Sequence, residues 1–188
     1  MQPHPAPAIR TSDLPLRLLV IRCQLGDANA FAQLLAHYQP RLRAYLFKMS
    51  PGNAASLDDL LQEIWTDVFK DLGRLSDPAA FTPWLYRIAR NRLFRSTRRN
   101  QLPTQPIQES ADIASPDEES FTPDDAAAVH AALDQLPPQM RDVLLLRFIE
   151  DMTYGQIAAV LEIPIGTVRS RIHNAKQQLK TILSQVNP

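Results

Sequence analysis

Between Asn100 and Pro123 the helical periodicity that marks the rest of the chain stops. The segment carries prolines at 103, 106, 116 and 123 among Gln, Ser, Thr and acids, and no Lys or Arg at all. So few apolar residues cannot bury enough surface to offset the entropy of ordering the backbone, so the stretch reads as a linker. In a chain of 188 residues this leaves room for only one small domain on either side. Both flanks show three- and four-residue apolar spacing and no convincing strand pattern. The predicted fold is therefore all-α: a tail and leading helix over 1–24, a helical lobe over 25–99, the linker over 100–123 and a second helical lobe over 124–188.

In the first lobe, Phe31, Leu34, Leu35, Tyr38, Leu42, Tyr45, Leu46 and Met49 define one buried helical face, with Pro40 expected to kink or split the helix. Ser56 opens a second pattern through Leu72, with Asp59 completing a capping-box-like start and Gly73 at the end. A third helix runs from about Asp77 to Arg99, with Phe81, Trp84, Leu85, Ile88, Ala89 and Leu93 inward. Trp65 and Trp84 belong to the core. The second lobe divides into helical segments at about 124–134, 138–149, 153–161 and 165–184.

Formal charge is zero overall but unevenly placed: net +6 over residues 1–100, −7 over 101–128 and +1 over 129–188. The neutral average hides a basic lobe, so a polyanionic partner is compatible with it. Cys23 is the only cysteine, which rules out an intrachain disulfide and points to a reducing, cytoplasmic setting. No apolar run is long enough to span a membrane. No P-loop, H-E-x-x-H or G-x-S-x-G pattern is present, and His4, His37, His130 and His173 lack metal spacing. The chain is expected to be no enzyme and to need no cofactor.

Three surfaces remain. Thr153-Tyr154-Gly155-Gln156 fits a capping box, and the Glu162-Ile163-Pro164 break before a further helix gives helix-turn-helix spacing. In that further helix Val168, Ile172, Ala175, Leu179 and Ile182 fall within about 40° of one line at 100° per residue. The opposite face carries Gly166, Ser170, His173 and Gln177, flanked by Arg169, Asn174 and Lys180, with no acid: donors and small residues suited to groove edges and phosphates. A plain helical hairpin with a solvated face has the same periodicity. In the first lobe, Arg87, Arg90, Arg92, Arg95, Arg98 and Arg99 lie on one helix, and Arg87, Arg90, Asn91, Phe94 and Arg98 share its outer face. An aromatic ring among guanidinium groups suits single-stranded nucleic acid, unless Phe94 packs on a neighbouring helix. Asp59, Glu63 and Asp67 form an i, i+4, i+8 stripe beside Gln62 and Thr66, opposed only by Lys70, and read as a protein-docking face. The helix macrodipole accounts for Asp58 and Asp59 near the helix start without any partner.

Taken together, Gly26-Asp27 with Ala30-Phe31, Asp59-Leu60-Leu61-Gln62-Glu63 and Trp84 through Asn91 resemble region 2 of the sigma-70 family, specifically its extracytoplasmic-function (ECF) sigma factors. Leu136-Pro137, Arg141 through Arg147 and Thr153 through Ile172, including Gly166-Thr167-Val168-Arg169-Ser170-Arg171, resemble region 4. Coverage is about residues 25–183, in the family's order.

The resemblance implies a function: directing bacterial core RNA polymerase to promoters and assisting their melting. By resemblance, Asp59, Gln62, Glu63 and Thr66 would dock on the β′ clamp helices, and the second lobe would meet the β flap. Arg87, Arg90, Asn91, Phe94, Arg95 and Arg98 would take the unwound −10 strand. Thr167, Arg169, Ser170, Arg171, His173, Asn174 and Gln177 would contact the −35 element. An anti-sigma factor is a further implied partner. Where many members have an acid before the terminal arginine pair of region 2 this chain has Ser96-Thr97, and His173-Asn174 replace frequently aromatic or basic residues. A flexible chain of some 24 residues spans roughly 25 to 30 Å and extends to about 80 Å, enough for compact and polymerase-bound states. The rival reading is a stand-alone helix-turn-helix regulator with an N-terminal dimerisation or effector domain.

Overall fold

The computed structural model describes residues 14–50, 56–100 and 126–186; Asn100, expected to open the linker, ends a helix instead, and 101–123 of the expected linker lie outside the described residues, as do the side chains of 97–100. Among the described residues eight α-helices follow in order: α1 Leu14–Gln24, α2 Ala28–Met49, α3 Leu57–Asp71, α4 Phe81–Asn100, α5 Ala126–Gln135, α6 Pro138–Leu144, α7 Tyr154–Leu161 and α8 Ile165–Val186. Among the described residues there is no strand.

Local chemistry sets the helix ends. Gly26 takes φ +88°, a left-handed turn that places Asp27 at the N-cap of α2. The Asp27 carboxylate accepts from Ala30 N–H at 3.0 Å and from Arg22 at 2.6 Å, and both hold its pKa below the ordinary value. Pro40 does not split α2, which runs unbroken from 28 to 49. Pro40 and Ala36, whose carbonyl loses its partner to the proline, both lie on the exposed side, where water solvates that group. The capping box expected at Ser56 is not formed, since its side chain makes no cap hydrogen bond. Asp58 and Asp59 still place negative charge in the first turn of α3. A short 3₁₀ turn, Pro78–Ala80, capped by Asp77, leads into α4, and a π-helical turn, Leu145–Ile149, extends α6.

In the first lobe Leu34, Tyr38, Leu42 and Leu46 of α2 pack with Leu61, Ile64 and Val68 of α3 and Phe81, Leu85 and Ala89 of α4. In the second, Val143 through Leu146 meet Ile157, Val160, Val168, Ile172 and Ala175. The two apolar interiors join in one continuous cluster, because α4 packs on α7 and α2 on α6.

The seam between the lobes is polar and specific. Arg41, Tyr45 and Lys48, spaced four and three residues apart on α2, turn one face toward the second lobe. Tyr45 donates to Asp142 at 2.8 Å, Lys48 reaches Asp134 at 2.9 Å and Arg41 lies 3.0 Å from Glu150. Arg90 of α4 completes the Asp142 site at 3.0 Å. Arg141 is buried, and its guanidinium donates to the carbonyls of Leu133 (2.9 Å), Asp134 (2.7 Å) and Leu136 (3.0 Å) around the end of α5, and of Lys48 (2.7 Å) in the last turn of α2. Pro137 and Pro138 cannot supply the i+4 donors to Leu133 and Asp134, and only the Leu133 carbonyl gains a backbone donor, Leu136 N–H at 3.2 Å, so a fork of N–H groups is what the position requires.

Arg141→Ala is expected to lower unfolding free energy by about 3 kcal/mol, because several buried acceptors lose their donor at once. Arg141→Lys should recover little, since an ammonium cannot span the same carbonyls. Denaturant unfolding of the three chains tests this.

Burial raises the pKa of Asp142 above the ordinary carboxylate value, against the opposing pull of Arg90, Tyr45 and Arg171. Glu150 is raised for the same reason, with Tyr86, Arg41 and His37 opposing. A carboxyl whose pKa is higher in the folded chain stabilises it most at the acid end and loses that contribution as pH rises from the unfolded value through the folded one. The joint Asp142→Asn, Glu150→Gln variant should therefore lack the loss of stability these two carboxyls cause on going upward from about pH 4, so that its thermal midpoint falls less, or rises more, with pH than the wild type's. Unchanged slopes in parallel melts would contradict this.

Candidate functional site

α8 is held by its apolar stripe: Val168, Ile172, Ala175 and Leu179 are buried against the lobe. The helix-turn-helix geometry is complete. Thr153 Oγ1 accepts from Gln156 N–H, and the Gln156 side chain accepts from Thr153 N–H at 2.9 Å, the capping box read from the sequence. Glu162 closes α7 in the left-handed region at φ 57°. On the outward face of α8, Arg169, Asn174 and Gln177 are exposed, while Thr167, Ser170, Arg171 and His173 are half-buried. Ser170 donates to the Thr167 carbonyl at 3.1 Å. The acid-free surface expected there is present.

On α4, Arg87, Asn91 and Arg95 are exposed and Phe94 is 40% exposed, so Phe94 is not absorbed by a neighbouring helix. The Arg90 guanidinium lies 4.6 Å from the Phe94 ring centroid, a cation–π stack. Arg90 also holds Asp142, which turns it partly away from solvent. Arg98 belongs to α4, but its side chain lies outside the described set.

Asp59, Gln62, Glu63 and Thr66 are all exposed on α3, with Thr66 donating to the Gln62 carbonyl at 2.7 Å. The stripe is less free than the sequence suggests. Lys70 is not its only opposing charge: Arg92 of α4 reaches Asp67 at 2.5 and 2.7 Å and Glu63 at 3.2 Å. Those Arg92 hydrogen bonds are the main reason the Asp67 pKa is lowered. Asp58 is paired with Arg43. The unpaired part of the face is thus centred on Asp59, Gln62 and the outer edge of Glu63.

Sequence reasoning missed an apolar groove next to that face. Phe31, Leu35, Trp65 and Phe69 line a depression of about 480 Å³ whose rim includes Gln62 and Thr66, and Phe69 is 69% exposed. The available signal was Phe69 itself, a large aromatic one position off the stripe that Val68 continues. Also missed were Asp142 and Glu150. Their signal was a charge next to apolar residues, Asp142 before the run 143–146 and Glu150 after Phe148-Ile149, where an unpaired buried carboxylate cannot remain. Among the described residues no group of His, Cys, Asp and Glu could hold a metal, and no helix is long and apolar enough to cross a membrane.

The first lobe matches the family described as Sigma-70 region 2 over residues 34–102, and the second matches Sigma-70, region 4 over 126–179. The RNA polymerase sigma-H factor of Pseudomonas aeruginosa is 33% identical over 88% of this chain and 92% of its own length. The ECF RNA polymerase sigma-E factor of Escherichia coli is 29% identical over 87% and 91%. In three dimensions the chain resembles the sigma factor RpoE solved with the anti-sigma factor NepR from Bartonella quintana, with a TM-score of 0.60, 24% identity and coverage of 84% and 98%. Two helical lobes with these matches in this order make the chain a member of the sigma-70 family, a sigma factor of the ECF branch acting in transcription initiation.

Proposed function

We propose that this chain binds core RNA polymerase through the exposed face of α3, captures the melted −10 strand with the outer face of α4 and reads the −35 element with α8. The carrying observation is the sorting of surface chemistry onto three helices of fixed orientation: free acids and an apolar groove on α3, guanidinium groups around an exposed Phe94 on α4, and an acid-free donor face on α8. Residues 25–99 act as region 2 and 124–188 as region 4, with 100–123 connecting them. The β′ clamp helices meet Asp59, Gln62, Glu63 and Thr66, and the β flap meets the second lobe.

No catalytic side chain is needed. Promoter opening draws on binding unstacked bases, and each aromatic stack contributes about 1 to 3 kcal/mol. The polymerase carries out the chemistry in the cytoplasm, and an anti-sigma factor restrains the free subunit, in keeping with the relative solved with one. A stand-alone regulator leaves the region 2 match of the first lobe without a role.

Glu63→Lys is expected to weaken binding to core polymerase by about tenfold or more, since a charge of the wrong sign at an interface costs several kcal/mol. Helicity should stay at the wild-type level, because Arg92 keeps its bonds to Asp67. Size exclusion with core polymerase tests the assignment; equal affinity removes Glu63 from the docking face.

The paired substitutions Arg87→Ala and Phe94→Ala should slow open-complex formation more than closed-complex binding, and Arg169→Ala should do the reverse. Permanganate footprinting on promoters selected with the holoenzyme separates the two steps. The opposite ordering would exchange the roles of α4 and α8.

A further inference from the structure

Glu63, assigned above to polymerase docking, has Asp59 and Asp67 four residues to either side of it on α3, so the acidic stripe repels itself. Arg92 of α4 relieves that repulsion. Its guanidinium takes both oxygens of Asp67, through Nε at 2.5 Å and Nη2 at 2.7 Å, and reaches Glu63 Oε2 through Nη1 at 3.2 Å. We infer that Arg92 is a positioning residue for polymerase docking: clamped on Asp67, it holds the Glu63 carboxylate in one orientation and leaves Oε1 for a cationic or N–H donor group of the polymerase. This rests on the assignment of Glu63 to the docking face.

A strut between α3 and α4 would need Asp67 alone. The two parallel bonds to that carboxylate are a complete fork, and the apolar interior already joins the two helices. The third contact goes to a carboxylate whose side chain is 60% exposed. Water and salt screen such a pair, so it adds little to folding, and its effect lies in which rotamers Glu63 visits. Because Nε and Nη2 are committed to the half-buried Asp67, the guanidinium is fixed before any partner arrives. A partner that meets a carboxylate already held in place orders fewer side-chain rotamers on binding, and affinity rises without a new contact. Arg92 thus acts through Glu63, and its own charge need not meet the polymerase.

Full-length chains are compared for affinity to immobilised core RNA polymerase by interferometry at moderate salt. Arg92→Ala should weaken binding about 3- to 10-fold. In a Glu63→Ala background the same substitution should cost less than about twofold, since the carboxylate it positions is gone. A merely structural Arg92 would weaken both backgrounds alike, so equal losses overturn the proposal, as does unchanged or tighter binding by Arg92→Ala. Arg92→Lys keeps the charge but cannot fork onto Asp67 while holding Glu63, so it should bind like Arg92→Ala. Wild-type affinity in the lysine variant would reduce Arg92 to a point charge and overturn positioning too. Because Arg92→Ala leaves the Asp67 carboxylate without its fork, the double variant Arg92→Ala, Asp67→Ala is measured beside it and should show the same loss with an unchanged far-ultraviolet circular dichroism spectrum. Wild-type affinity there would trace the loss to Asp67 and reject the role. If Glu63→Ala alone leaves affinity unchanged, it is the docking assignment of Glu63 that fails, and the positioning role with it.

Discussion

A carboxylate with almost no exposure to water can exist in this chain only because two helices of the other lobe come to meet it. Asp142 follows Arg141 at the head of an apolar run, and neither charge tolerates burial alone. Tyr45 and Arg90 satisfy the two oxygens of Asp142, while Arg141 gathers carbonyls from α5 and from the last turn of α2. Hydrogen bonds are directional, so these contacts fix α6 against α2 and α4 in one register, which apolar packing alone would not do. The positions of α7 and α8 follow, because they pack on α6 and its π-helical extension.

The same constraint explains why α4 organises the first lobe. Its inner side, through Phe81, Leu85, Ala89 and Leu93, closes the core. One flank sends Arg92 to Asp67 and Glu63 and orients α3, while the other sends Arg90 across the seam. Of the described α4 side chains proposed to meet nucleic acid, Arg87, Asn91, Phe94 and Arg95 are left facing water. The arginines of α4 look uniform in sequence, yet of the four with described side chains Arg90 and Arg92 serve the scaffold and Arg87 and Arg95 are exposed.

That division marks the limit of what periodicity reveals. Helix spans, buried faces and the capping box at Thr153 were legible, because each depends on residues within one or two turns of each other. The outward face of α8 was legible for the same reason: once Val168, Ile172 and Ala175 point inward, Arg169 and Gln177 must point outward. Pairings between elements were not legible. Nothing local distinguishes Arg92, which is committed to α3, from Arg95, which is exposed, and nothing local ties Asp142 to Tyr45, 97 residues away. Of the kink or split expected at Pro40, the split is absent because the cost of a missing donor depends on whether its acceptor faces water, and that is decided by tertiary packing.

Charge placement in the second lobe connects fold to function. Its five acids after residue 128 are all kept off the outer face of α8: Asp134, Asp142 and Glu150 are drawn to the seam, Asp151 pairs with Arg147, and Glu162 sits in the turn. An acid on that outer face would repel phosphate. Three of these acids, Asp134, Asp142 and Glu150, also complement Lys48, Arg90 and Arg41 of the first lobe. Four of the five anions thus lie on α5, α6 and the stretch that follows its π-helical turn, the fifth, Glu162, closes α7, and none lies on the helix proposed to face DNA.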